Sequence, residues 1–350
     1  MRTIRGPAVF LAQFIAPEPP YDRLDTLARW AAEKGFVGVQ VPIFNPAIFD
    51  VAKAAESDAY CDEVKGSLAD QGLVITELSS HRQGHLVAVH PAYDETIDVF
   101  APPALRGNPR ARQEWAVSQL MTCARASRRL GLTRHVTLSG ALLWPYIYPY
   151  PPRPDGLVAA GYAELARRWR PILDAFDAAG VDVCFEIHPG EDVHDGASFE
   201  RLLDAVGGHR RLAILYDPSH LFLQHIDYLG FIDLYRERIR SFHVKDAEWN
   251  ASPRVGVYAS YQEWIDRPGR FRSLGDGQVN FKSIFSKLAQ YNYRGWAVLE
   301  WECCIKHPEQ GAAEGAPFIK EHIIRVTEKA FDDFATAGKN PKLNKKVLGI

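Results

Sequence analysis

The chain is 350 residues long, 47% of them hydrophobic and 24% charged, with a formal net charge of −2. That length and mixture suit one large domain with a sizeable core, and the near-zero charge argues against nucleic-acid binding, which relies on a basic surface. The apolar segments are short and interrupted by charge, so no membrane span is expected. Five scattered cysteines without CxxC spacing (Cys61, Cys123, Cys184, Cys303, Cys304) point to reduced thiols in a cytoplasm rather than a disulfide framework or a zinc knuckle.

Near the N-terminus, "AVFLAQFIA" follows arginine and imitates a signal peptide, but it contains Gln13, lacks a small-x-small cleavage site and runs into "PEPP". It reads as a first strand. The next segment is amphipathic: Leu24, Leu27, Ala28 and Ala31 recur at helical spacing opposite Asp25, Arg29 and Glu33. From here one rhythm repeats five times, a helical pattern, a glycine and a short apolar strand, in "AAEKGFVGVQV", "SLADQGLVITEL", "ASRRLGLTRHVTL", "FDAAGVDVCFEI" and "LAQYNYRGWAVLE". Gly35, Gly72, Gly131, Gly180 and Gly295 stand where each helix must end in a left-handed turn. The strands are near-continuous apolar runs, as in a parallel sheet buried on both faces.

Filling the gaps predicts eight strands near 9–15, 37–42, 73–78, 135–139, 183–188, 212–217, 239–244 and 296–301, with helices over 110–130, 160–180, 227–238 and 314–335. This alternation favours an α/β fold, a single (β/α)8 barrel over residues 1–338. The basic tail 339–350 is left as a surface arm or subunit contact. The rival doubly wound sheet lacks a GxGxxG after its first strand. Long connections follow strands 3, 4 and 7 (79–109, 140–157 and 245–280), on the face where such barrels place their active sites.

The strand ends carry the chemistry. Strand five ends "CFEIHPGE", with Glu186 and His188 two residues apart and so on one side. Strand six, "ILYDPSH", stops at Asp217, with His220 in the next turn. Strand seven carries His243, then Lys245 and Asp246, and strand eight carries Glu300 and Glu302. A lone aspartate here would be a helix cap. Four strands delivering Glu, Asp, His and Glu to one rim are different, because converging carboxylates repel unless a cation or protons neutralise them. Three carboxylates and one imidazole favour Mn²⁺ or Mg²⁺, with Co²⁺ and Zn²⁺ as alternatives.

The order Glu186, Asp217 with His220, His243 and Glu300 resembles the xylose-isomerase-like TIM barrels, the sugar phosphate isomerases and epimerases; "GWAVLE" and "SLGDGQVNF" are similar to that family's strand-eight pattern and its Gly-acidic-Gly turn. The resemblance implies one divalent metal on Glu186, Asp217, His243 and Glu300. It also implies enolisation of a keto-sugar with Glu186 and Glu300 as bases, with His188 and His220 on its hydroxyls and Glu302 beside the ligands, where it could exchange roles with Glu300. From the residues themselves, Lys245 is a candidate partner for an anionic substrate or intermediate, and His81 a candidate to face the pocket. Trp144 and Tyr146, in the aromatic loop "WPYIYPYPP", are expected to stack on a sugar or aglycone. Reprotonation of the intermediate gives isomerisation or epimerisation. Expulsion of a group β to the carbonyl gives a lyase, as in the larger subunit of C-glycoside deglycosidases, which resembles these barrels and works with a small partner subunit. The expected partners are therefore a sugar or glycoside and either further copies of the chain or a small second subunit.

Overall fold

Gly38–Pro42 and Leu212–Tyr216 are buried at every position. Runs without alternation fit only a sheet covered on both faces. The computed structural model, which describes residues 3–327 and 341–350, builds that sheet as a closed barrel. Its strands are β1 (Arg5–Phe10), β2 (Gly38–Pro42), β3 (Val74–Ser79), β4 (Arg134–Thr137), β5 (Asp182–Glu186), β6 (Leu212–Tyr216) and β7 (Ile239–Val244), followed by an antiparallel ribbon, β8 (Asp246–Trp249) with β9 (Gly269–Arg272), and then β10 (Trp296–Leu299). β10 pairs with β7 on one side and β1 on the other, and every barrel pairing is parallel. The protein is thus a (β/α)8 barrel. Val136, Cys184, Ala213 and Leu215 fill part of its interior, and outer helices cover the other strand face. Trp169, on the helix Leu157–Ala179, meets Phe185 edge-on with ring centroids 4.5 Å apart.

Several expectations need correction. The first strand is Arg5–Phe10, and the apolar run continues as a 3₁₀ turn over Leu11–Phe14. Gly35, Gly72, Gly131 and Gly180 do take positive φ, but Gly295 does not; Asn292, at φ 58°, makes that left-handed turn, which asparagine tolerates. Gly295 is needed for another reason: a Cβ there would run into the Tyr293 hydroxyl. The helix placed over 314–335 is Pro308–His322, and the end of that span lies outside the described residues, as does the boundary expected at 338/339. Residues 341–348 form an exposed helix. The connection 245–280 is not a plain loop, since it holds the β8–β9 ribbon. The Asp246 carboxylate ties that ribbon down, accepting N–H groups from Ala247, Gly275, Gly277 and Val279 at 2.8–3.1 Å. Among the described residues no helix is long and apolar enough to cross a membrane, and all five cysteines are free thiols.

Candidate functional site

Glu186 closes β5, Asp217 follows β6 directly, His243 is the last residue but one of β7, and Glu300 follows β10. One ligand atom from each lies within 4.8 Å of all the others, and all four residues are buried. The barrel therefore gathers the four side chains singled out from the strand ends.

Asp217 serves as a cap and as a candidate ligand at once. Its Oδ1 accepts from the Ser219 N–H at 2.8 Å and the Ser219 hydroxyl at 2.7 Å, capping the turn Pro218–Leu223. Its Oδ2 is buried with no hydrogen-bond partner, and so is Glu186 Oε1. Their nearest nitrogens stand off at 3.4 Å (His220 to Glu186 Oε1) and 3.6 Å (His220 to Asp217 Oδ2). A buried carboxylate oxygen left without a hydrogen bond is costly, and a bound cation would relieve both at once.

His243 is oriented by residues that the strand-end pattern did not single out. Gln40 donates its amide N–H to the Glu77 carboxylate at 3.4 Å. A carboxylate only accepts, so the Gln40 carbonyl oxygen must face the other way, where it stands 3.0 Å from His243 Nε2. Nε2 then carries a proton directed at Gln40, and Nδ1 faces the carboxylates, 2.8 Å from Glu300 Oε2 and 3.6 Å from Glu186 Oε1. Against burial, Glu300 and Glu186 raise this imidazole to about 10, so a cation bound here would take the place of the Nδ1 proton. Gln13 adds an N–H to Glu300 Oε1 at 2.9 Å. Gln40 and Glu77 are fully buried polar side chains on barrel strands, and such residues inside an apolar run were the available signal.

Charge in this pocket is strongly polarised. Burial alone would raise the Glu186 carboxyl, but the imidazoles of His220, His243 and His81 outweigh it and hold the group well below its ordinary range. Burial and the neighbouring Glu186 push Glu300 up, and Lys245 and His243 bring it down to about 2. Burial raises Asp217 well above the usual range, against the pull of Lys245. The Lys245 ammonium, itself fully buried, lies 2.8 Å from Glu302, 3.4 Å from Glu300 and 3.7 Å from Asp217. Burial would neutralise it, and these carboxylates keep it charged. His220, 3.2 Å from Lys245 Nζ, is driven down to about 3 by burial and by that ammonium.

The other anticipated residues divide into two groups. His81, His188, Lys245 and Glu302 line one cavity of about 230 Å³ together with Glu186 and Glu300. His81 Nε2 is 3.1 Å from Glu186 Oε2, and His220 packs its ring against His188 with centroids 4.1 Å apart and the planes tilted by 55°. Trp144 and Tyr146 are not brought to this cavity. They line a separate one of about 280 Å³ with His194, Asp192 and Arg201, which shares no lining residue with the first.

The four-residue cluster, with two buried carboxylate oxygens that lack a hydrogen bond and an imidazole whose Nδ1 is turned toward them, fits a divalent cation. Fold and cluster together define the class. The chain belongs to the xylose isomerase-like TIM barrel family, whose model matches residues 28–322. An inosose dehydratase from Bacillus velezensis is 30% identical over 147 residues, which is 41% of this chain and 49% of that protein; the chain spans about half the length of the curated relatives it matches. Among solved structures, the 3-keto-D-glucoside 4-epimerase of E. coli superposes with a TM-score of 0.61 at 15% identity, over 90% of this chain and 98% of that one. A xylose isomerase-like TIM barrel protein from Mycobacterium smegmatis, in complex with magnesium, gives 0.59 at 17% identity over 91% and 96%.

Proposed function

We propose that this protein is an enzyme that moves a proton on the carbon beside the ketone of a polyhydroxylated substrate, with a divalent cation held by Glu186, Asp217, His243 and Glu300. The observation that carries the reading is the pair of buried oxygens on Glu186 and Asp217 that lack a hydrogen bond, gathered with His243 Nδ1 and Glu300 in one cluster. Mn²⁺ is the preferred ion for this oxygen-rich set with one imidazole. When bound, such an ion supplies Lewis-acid polarisation of the substrate's carbonyl and hydroxyl oxygens.

The chain's own groups do the rest. Glu186, kept ionised by three imidazoles, removes the proton beside the ketone and, as the carboxylic acid so formed, can give it back. Delivery by Glu300 instead requires that this carboxylate first take a proton from solvent while Glu186 releases its own. The Lys245 ammonium stabilises negative charge growing on the substrate. His81, His188, His220 and Glu302 bind hydroxyls around it. Return of the proton makes the product of an isomerase or epimerase, the first reading, and a protein named as a 3-keto-D-glucoside 4-epimerase shares the fold. Loss of a β substituent makes a lyase acting on 3-oxo-glycosides. The relatives named as dehydratases favour that second reading, because loss of water also begins beside a ketone. Cytoplasmic location, and assembly with further copies or a small second subunit, belong to the same proposal.

The test is proton NMR in D₂O with Mg²⁺-loaded protein and 3-oxo-glucose or methyl 3-oxo-glucoside. Deuterium should enter beside the carbonyl, and exchange should fall at least a hundredfold in Glu186→Gln. Release of methanol from the glycoside would select the lyase. No exchange with either compound would overturn the keto-sugar reading.

A further inference from the structure

The cavity over the four-ligand cluster shares two of its wall residues, His85 and His188, with a second cavity of about 230 Å³. The rest of that second space is lined chiefly by Ala88, Val89, Tyr93, Ile97, Ala141 and Pro189. The first cavity is rich in charge, and the second is almost wholly apolar.

The boundary between them is built rather than incidental. His85 Nδ1 lies 2.5 Å from Glu191 Oε1, and the ring stacks on Phe100 with centroids 5.2 Å apart. Glu191 is itself buried and is fixed from the other side, accepting the Gly140 N–H at 2.5 Å and the Ser139 hydroxyl at 3.3 Å. A buried carboxylate thus pins an imidazole between a polar and an apolar chamber. Val89, Tyr93 and Ile97 remain only half-buried around the space, so their apolar surface has a cover to gain. Size agrees with a ring: a cavity of about 150 Å³ is enough to hold benzene, and an apolar cavity gives water too few polar partners.

We propose that this second cavity is a subsite for an apolar group carried by the substrate. The substrate class is then a polyhydroxylated ketone joined to a ring-sized hydrocarbon or aromatic moiety, with the joint lying between His85 and His188. The inference rests on the keto-sugar reading of the first cavity, and it names what that sugar carries. Pockets that take such mixed ligands are mainly apolar with a few fixed polar groups, and His85 with Glu191 supplies the fixed polar edge.

The test measures binding and needs no turnover. Phenyl β-D-glucoside and methyl β-D-glucoside are titrated by ligand-observed NMR into the full-length protein with saturating Mg²⁺. The phenyl compound should bind at least tenfold more tightly. Val89→Phe and, separately, Ile97→Trp fill the second cavity, and each should bring the two affinities within about twofold; circular dichroism confirms which variants fold. Equal affinities in the unaltered protein, or a phenyl preference that survives substitution in a folded variant, would overturn the proposal. The D₂O exchange separates the two ideas. Exchange without phenyl preference removes the subsite alone, whereas phenyl preference without exchange keeps the subsite and removes the keto-sugar chemistry.

Discussion

His243 Nε2 and Gln40 Oε1 stand 3.0 Å apart, with the amide N–H of Gln40 turned to Glu77. This chain of three side chains crosses from β7 to β2 and β3 and sets which nitrogen of His243 faces the carboxylates. Gln40→Met keeps the volume and removes the carbonyl. Outer partners of this kind are worth about 10- to 100-fold in metal affinity. Titration of Mn²⁺ into metal-free protein should show a loss of that size, and unchanged affinity would sink the orienting role.

Asp217→Asn keeps an oxygen to accept from Ser219 while replacing the orphaned Oδ2 with an amide. The turn after β6 should survive and the cation should not bind. In the unaltered protein, Mn²⁺ at a hundredfold excess over its Kd should add about 2.7 kcal/mol to stability. In the variant, thermal unfolding with and without MnCl₂ should give nearly the same midpoint. An equal rise in both proteins would remove Asp217 from the ligand set.

Lys245 faces Asp217, Glu300 and Glu302 at once. Lys245→Met leaves that carboxylate cluster short of a positive charge, which should destabilise the metal-free protein by about 3 kcal/mol. Added Mn²⁺ should recover part of the loss, because it supplies positive charge to the same groups. Urea unfolding at two metal concentrations checks both statements; a loss that metal leaves untouched would mean that Lys245 acts by packing alone.

On the outer surface, Glu164 is held down to about 2 from its ordinary 4.5, chiefly by its hydrogen bonds to Arg167 and then Arg168, with burial opposing. Its folded value is depressed, so its stabilisation is full above about 4.5 and fades as the pH falls through about 2. The side chain is 34% exposed, so solvent screening limits the contribution to below about 1 kcal/mol. Glu164→Gln should be slightly less stable than the unaltered protein at pH 7 and equal to it at pH 2 by denaturant unfolding. A gap that does not narrow with acid would assign the difference to something other than this charge.

The barrel and its four-residue cluster were legible because both depend on order along the chain. Buried strands read as apolar runs, and Glu186, Asp217, His243 and Glu300 each come at the end of one. What escaped depends on neighbours across the barrel. Gln40 lies far along the chain from His243, and nothing local marks it as a partner. β1 was displaced because an apolar run does not say where extension gives way to a 3₁₀ turn, as at Leu11–Phe14. Trp144 and Tyr146 share a loop on the expected face, yet a loop's sequence does not say which of two separate cavities its rings enter. The β8–β9 ribbon was missed because nineteen residues separate its strands, far beyond the reach of a hairpin-turn signal.

That ribbon has one more implication. Asp246 gathers the N–H groups of Ala247 at the start of the excursion and of Gly275, Gly277 and Val279 at its return, and no side chain fits at Gly277 beside that carboxylate. One carboxylate therefore staples both ends of the excursion together, only three residues after His243. Residues 250–268 lie beyond the staple, and Trp264 among them packs on Phe271, whose ring meets His220 and the Lys245 ammonium. Evolution or a designer that keeps Trp264 on Phe271 can lengthen, shorten or replace the rest of that stretch as a cassette while the staple holds both of its ends in place.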